Sequence, residues 1–244
     1  MRPLLLLAFS TAAIAAPGAR PGEAFTFKFS VGPVESGRAR MSVAKTRERG
    51  RPALSVRGQA ETLPWLKLLA RLDDDYHLIV DASTWLPLKV LSVERGMRQR
   101  TIESKIDGRQ AELAEGKTRS QRHLPTAVRD PLSQLFALRA AQLADGERIE
   151  QDILDGHALW HAALEIHRGD KVFLEADGEH AQSRAAIRID GTLHRITDAG
   201  RPVAGHAPRK ITAWLSDDEA RVLLRLEADT DFGKCAVELT SYQR

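Results

Sequence analysis

The chain has no asparagine and one cysteine, Cys235, among its 244 residues. A single thiol cannot form an internal disulfide, so no covalent cross-link supports this fold, even in an oxidising compartment. Cys235 lies in a segment that alternates like a strand and reads as a half-buried, inert thiol. Neither charge sign dominates: 36 Lys and Arg against 33 Asp and Glu leave a net charge of +3. Arginine outnumbers lysine 27 to 9, which fits biased codon usage. A nucleic-acid surface needs basic residues gathered on one face, whereas acids here are interspersed throughout. The nearest approach to a basic cluster is Arg95, Arg98 and Arg100, which reads as a solvated hairpin turn. No nucleic-acid partner is expected. The chain also lacks a G-x-S-x-G elbow, an H-E-x-x-H helix and a phosphate-cradling glycine loop. No enzyme activity, cofactor or metal is expected from it.

Long hydrophobic runs are missing too, except at the start. Arg2 precedes an apolar stretch that opens with Leu4 to Phe9 and runs through small residues to Ile14. Ala13-Ile14-Ala15 then reads as a cleavage site. The stretch is shorter than the roughly 20 residues of a membrane span, and no cysteine follows it to carry a lipid. Residues 1–15 are therefore predicted to be a signal peptide, and residues 16–244 a single soluble, periplasmic domain, at most peripheral to a membrane.

What is present is alternation. Phe25, Phe27, Phe29 and Val31 alternate with Thr26, Lys28 and Ser30, as a half-buried strand requires. Ala39, Met41 and Val43 form the second arm of a hairpin, and Leu54 and Val56 continue the pattern. Residues 62–72 change period: Leu63, Leu66, Leu69 and Leu72 suggest a helix capped by Thr62, with Pro64 in its first turn and Asp73-Asp74-Asp75 at its end. Strands return at Tyr76–Val80, Leu86–Arg95, Ile102–Ile106 and near Ala111 and Leu113. Asp130-Pro131 opens a second helix with Leu132, Leu135, Phe136, Arg139 and Leu143 on one face, ending at Asp145-Gly146. From there the chain reads as β. Asp155-Gly156 and Asp190-Gly191 are candidate tight turns, and Asp217-Asp218-Glu219 is a hairpin turn. The loop at residues 197–208 is the most flexible segment. The expected fold is mainly β: one large, curved antiparallel sheet or partly closed barrel with two packed helices.

Two features carry the candidate chemistry. His157 and His161 would share a helix face, but alternation after Asp155-Gly156 puts them on a strand. There four residues span about 13 Å, too far for one metal. The second feature is tryptophan, conspicuous in a chain with only 5% aromatic residues. Trp65, Leu69, Trp85, Leu135, Phe136, Trp160 and Trp214 are candidates to line an apolar cavity between helices and sheet; ordinary core is the competing reading.

Several segments in order resemble a known family. They are residues 22–27, 31–39, Leu86-Pro87-Leu88, Arg129-Asp130-Pro131-Leu132-Ser133, Trp214 to Asp218, Phe232-Gly233 and Glu238 to Tyr242. Together they are similar to the exported bacterial domain-of-unknown-function family 3108 over nearly the whole mature chain; residues 167–208 depart from its pattern. The resemblance implies an exported, β-rich protein without an agreed activity. It also suggests a half-barrel somewhat like the periplasmic lipoprotein carriers. The expected role is therefore binding or carrying an apolar or amphipathic envelope molecule such as a lipid. A structural or assembly factor binding an envelope protein is the alternative, and a hydrolase the third reading.

Export is testable directly. N-terminal sequencing of the periplasmic form should begin at Ala16; a mature chain still carrying residues 1–12 would contradict the signal-peptide reading.

Overall fold

The computed structural model describes residues 18–67, 71–96, 99–174, 182–230 and 233–244; the predicted signal peptide, Leu69 and Arg98 lie outside them. Among the described residues the chain forms β1 (Ala24–Val31), β2 (Val34–Glu48), β3 (Arg51–Thr62), β4 (Asp73–Asp81), β5 (Pro87–Arg95), β6 (Gln99–Asp107), β7 (Gln110–Glu115) and β8 (Thr118–His123). The helix α1 (Pro131–Ala140) follows, then β9 (Arg148–Asp155), β10 (Ala158–Leu174), β11 (Gln182–Ile196), β12 (Arg209–Ser216), β13 (Leu223–Thr230) and β14 (Gly233–Gln243). The strands make one 14-stranded sheet in the order β8-β7-β6-β5-β4-β3-β2-β1-β14-β13-β12-β11-β10-β9. Each half is a meander of neighbouring hairpins. The halves join where β1 pairs with β14.

The sheet is not closed by a ladder, but it curls until its two ends meet. Ile106, Ala111 and Leu113 from β6 and β7 pack with Leu154, Leu159 and Ile196 from β9 to β11. Leu124 and Val128, from the segment after β8, complete that cluster. Arg122 on β8 donates to the His157 carbonyl, 2.9 Å away, and pairs with Asp198. His157, in the β9–β10 turn, bonds to Glu115 at 2.9 Å. The edge of β9 is covered, because Arg129 N donates to Asp152 O and Leu154 N donates to Arg129 O. The other edge, β8, is six residues of polar and charged side chains, Thr-Arg-Ser-Gln-Arg-His. Short, charged edges resist pairing with other chains.

Helix α1 sits inside the curl and plugs one end of it. Asp130 caps it, accepting from Leu132 N and Ser133 N, and the Ser133 hydroxyl accepts from Asp130 N. Phe136 faces β1 to β5, packing with Phe25, Phe27, Val56, Leu78 and Val90. Leu138 faces the other half, against Ala162, Ile166, Ile187 and Leu215. Arg129 reaches the carbonyls of Thr84 and Trp85 in the β4–β5 turn.

A buried ion pair pins this arrangement. Arg139, 1% exposed, meets Glu23, 0% exposed, at 2.7 Å. The guanidinium also donates to Ala220 O in the β12–β13 turn at 3.0 Å and lies over the rings of Phe25 and Phe136. Glu23 accepts further bonds from Arg20 N and the Tyr242 hydroxyl. Burial alone would raise the Glu23 pKa. The bonds from Arg139, Arg20 and Tyr242, with the charge of Arg139, outweigh burial and hold it below its ordinary value.

Several sequence expectations need correcting. Of the first predicted helix, at 62–72, the described residues show only a 3₁₀ turn at Pro64–Leu66. Its leucine stripe is overridden by the ladder. β3 runs through Thr62, whose N–H donates to Leu72 O while its hydroxyl accepts from Leu72 N, so these two residues are held as neighbours where adjacent strands end and begin. Asp73 to Asp75 begin β4 and meet Arg95 from β5 rather than opposing a helix dipole. The curved antiparallel sheet therefore carries one helix, not two. That helix ends at Ala140, because Ala141 turns extended, so Leu143 is buried beyond it. Asp190 and Gly191 lie mid-strand in β11; the glycine is needed because Leu164 and Ile211 occupy the space a Cβ would take. β8, which alternates too weakly to read from sequence, is present. Arg100 is not in a solvated turn but points into the curl.

The ion pair yields a stability expectation. Arg139→Met leaves Glu23 buried without its cation and should cost roughly 3–5 kcal/mol in urea melts. A depressed folded pKa means that the unfolded state binds the proton more readily. The stabilisation is thus present above the ordinary Glu23 value of 4.5 and is lost as pH falls through the lower folded value. The gap between wild type and Glu23→Gln should therefore shrink on acidification from pH ~7 to ~3. A gap independent of pH would contradict this account.

Candidate functional site: an open trough with a charged corner

The space between helix and sheet is filled. Phe136 is fully buried and its ring meets that of Trp85 at 6.3 Å. Phe136 O and the Trp85 ring also crowd Gly18 so closely that no Cβ fits there.

Beyond the helix the inner wall behaves differently. β1 keeps Phe25, Phe27, Phe29 and Val31 on one face, and register carries that face across the sheet. Phe29 pairs with Val237, Val237 with Leu226, and Leu226 with Ala213. Val31 pairs with Cys235, Cys235 with Ala228, and Ala228 with Ile211. All of these are half-buried, whereas Phe25 and Phe27 nearer the helix are buried. An apolar, partly accessible wall of β1 and β11 to β14 therefore continues past the plug towards the opposite end. We read this concave wall as a trough that runs towards the end where the β1–β2 and β9–β10 turns lie.

One corner of this trough is polar. On β10, Trp160 shares the inner face with Ala162 and Leu164; its register partner is Arg195. The guanidinium of Arg195 stands 5.3 Å from the centre of the Trp160 ring, and that of Arg209 stands 5.0 Å from it. From the other half of the sheet, Arg100 and Glu94 are register partners joined at 2.7 Å. Asp155, the last residue of β9, lies between the two halves. Burial raises its pKa; Arg100, Arg195 and Arg209 pull it back down, and Glu94 adds to the rise. Asp74, next to Glu94 in the same row, is also raised, by burial and then by the neighbouring acids. The Arg100 Nε is buried without a hydrogen-bond partner.

The predicted lining residues are divided. Trp85, Leu135 and Phe136 come together around α1, and Trp160 forms the floor of the charged corner. Trp214 lies on the opposite face, packed with Val172, Leu174 and Leu224, its indole N–H donating to Asp170 at 3.3 Å. Trp65 is 61% exposed, and Leu69 is outside the described residues. Sequence reading missed Arg195, Arg209 and Asp155. Their signal is arginine and aspartate at positions where alternation demands an inward side chain. His157 and His161 bind separate carboxylates, Glu115 and Asp152; His161 lies on the expected strand, whereas His157 lies in the β9–β10 turn just before it. Asp218 organises the β12–β13 turn, accepting from Ser216, Ala220 and Arg221. Surface grooves also exist, one of about 580 Å³ lined by Thr26, Arg40, Gln59, Asp75 and His77. These side chains point away from the trough.

A family model described as "Protein of unknown function (DUF3108)" matches residues 25–240. The chain belongs to the DUF3108 family. This DUF3108 chain is similar in fold to the crystal structure of a β-barrel-like protein of domain of unknown function DUF1849 from Brucella abortus. The TM-score is 0.54 at 10% identity, covering 91% of this chain and 96% of that one. A candidate lipoprotein from Parabacteroides distasonis matches with a TM-score of 0.36 at 9% identity, over 92% of this chain and 96% of that one. A candidate exported protein with a YmcC-like fold from Bacteroides fragilis gives 0.35 at 8%, over 96% and 100%. No curated protein sequence matches. Among the described residues no helix is long and apolar enough to cross a membrane.

Proposed function

We propose that this DUF3108 protein is a non-enzymatic, periplasmic binding or carrier protein that holds an amphipathic envelope molecule in the open trough. The observation that supports this reading is the half-buried apolar wall of β1 and β11 to β14, from Phe29 and Val31 to Ile211. Apolar surface left accessible inside a concavity gains roughly 25 cal/mol per Å² when a ligand covers it. The helix plug gives the trough one closed end, so an acyl or isoprenoid chain would enter from the other.

The assembly-factor reading rests on an exposed edge or patch. Here β9 is covered, and β8 is short and charged, which gives that reading less support. Large exposed apolar side chains are scattered: Val34, Trp65 and Phe173.

Native mass spectrometry of the protein purified from its own periplasm tests the carrier reading. A lipid-sized adduct, lost on organic extraction and regained on adding the extract back, is the expected result. A bare protein mass that stays bare in the presence of envelope lipid extract would overturn it.

A further inference from the structure

The charged corner is an odd thing to find inside a curled sheet. Three half-buried arginines converge here from three strands: Arg100 on β6, Arg195 on β11 and Arg209 on β12. Two of them stand over the same indole, Trp160. A guanidinium held against an aromatic face is pre-oriented, so less freedom is lost when it binds a second partner. The Arg195 guanidinium makes no hydrogen bond or ion pair among the described residues, and the Nε of Arg100 is buried and unsatisfied. Both are donors without acceptors. The acids nearby are Glu94, held by Arg100, Glu115, bonded to His157, and Asp155, whose carboxylate accepts no hydrogen bond among the described residues; Asp74 lies one strand beyond Glu94 and accepts from Arg95 N. Asp155, itself exposed to solvent, is thus a loose counter-ion rather than a bonded partner. The apolar wall begins alongside: Leu193 pairs with Arg209, and Ile211 follows two residues later on the same face.

We propose that Arg195 and Arg209 over Trp160, with Arg100 across Asp155 from them, bind the phosphate or carboxylate head of an anionic amphiphile whose chain lies along the apolar wall. Planar guanidiniums suit such oxyanions, each offering two parallel N–H donors. The head takes the acceptor role that Asp155 fills only by proximity. Asp155 therefore competes with the ligand, and neutralising it tightens binding. The inference rests on the trough reading and names the ligand class for it.

Calorimetric titration with four probes separates the two. Dodecyl phosphate and dodecanoate carry the head and the chain, dodecanol the chain alone, and inorganic phosphate the head alone. The two anionic amphiphiles should bind at least tenfold more tightly than dodecanol. They should also bind at least tenfold more tightly than inorganic phosphate. Arg195→Ala and Arg209→Gln should remove most of the preference over dodecanol, and Asp155→Asn should strengthen anion binding severalfold. Thermal melts show which variants remain folded; the Asp155→Asn arm keeps the test decisive if either arginine variant does not. If dodecanol binds as tightly as dodecanoate and dodecyl phosphate, the head-group site is wrong while the trough stands. If inorganic phosphate matches dodecyl phosphate, the corner takes free anions and the amphiphile is wrong. If no probe binds, both readings fail. Asp155→Asn weakening anion binding would also overturn the proposal.

Discussion

The Glu23–Arg139 pair is the contact on which the rest of the architecture depends. It is formed by residues 116 apart in sequence and ties the segment before β1 to the only helix among the described residues. Through Ala220 and Tyr242 it also reaches the β12–β13 turn and β14. Desolvating two charges is expensive, and the cost is offset only when the geometry is good and the remaining donors and acceptors are satisfied. Here both carboxylate oxygens carry two partners. A buried pair so fully bonded resists being exchanged for an alternative packing, so it specifies position as well as adding stability. It fixes the helix at one end of the curl and orients Phe136 towards one half of the sheet and Leu138 towards the other.

The empty space follows from that placement. One ten-residue helix spans about 15 Å, less than the longer strands around it. It fills the curl where it sits and leaves the inner face uncovered beyond. Aliphatic positions there keep the alternation of a core face without the burial of one. The sheet avoids exposed ladder edges by covering β9 with the segment around Arg129 and charging β8, so accessible apolar surface is concentrated inside rather than at its rims.

Much of this was legible in the sequence, and the failures are physical. Period-two alternation found β1, β5, β6 and β14, because one face of each packs inward. Asp130-Pro131 announced the helix start, since a cap and a first-turn proline act locally. The false helix at 62–72 had the right leucine spacing. Spacing alone does not know that β3 and β4 are ladder neighbours, and that pairing holds Thr62 against Leu72. Asp190-Gly191 looked like a turn because the glycine's purpose is tertiary: it makes room for Leu164 and Ile211. The charged corner was hidden for the same reason. Arg100, Asp155, Arg195 and Arg209 are distant in sequence, and the curl alone brings them together; of the candidate lining residues, Trp160 borders that corner.

The central claim is that the inner wall is accessible in the native protein. Cys235, half-buried on that wall, reports on it without any engineering. The decisive measurement is the rate at which iodoacetamide modifies Cys235 in the fully folded protein, followed against low concentrations of urea. The account predicts modification in the absence of denaturant at a rate that urea leaves unchanged until global unfolding begins. Modification that occurs only through unfolding, rising with urea from the first addition, would place Cys235 in a closed core and contradict the trough.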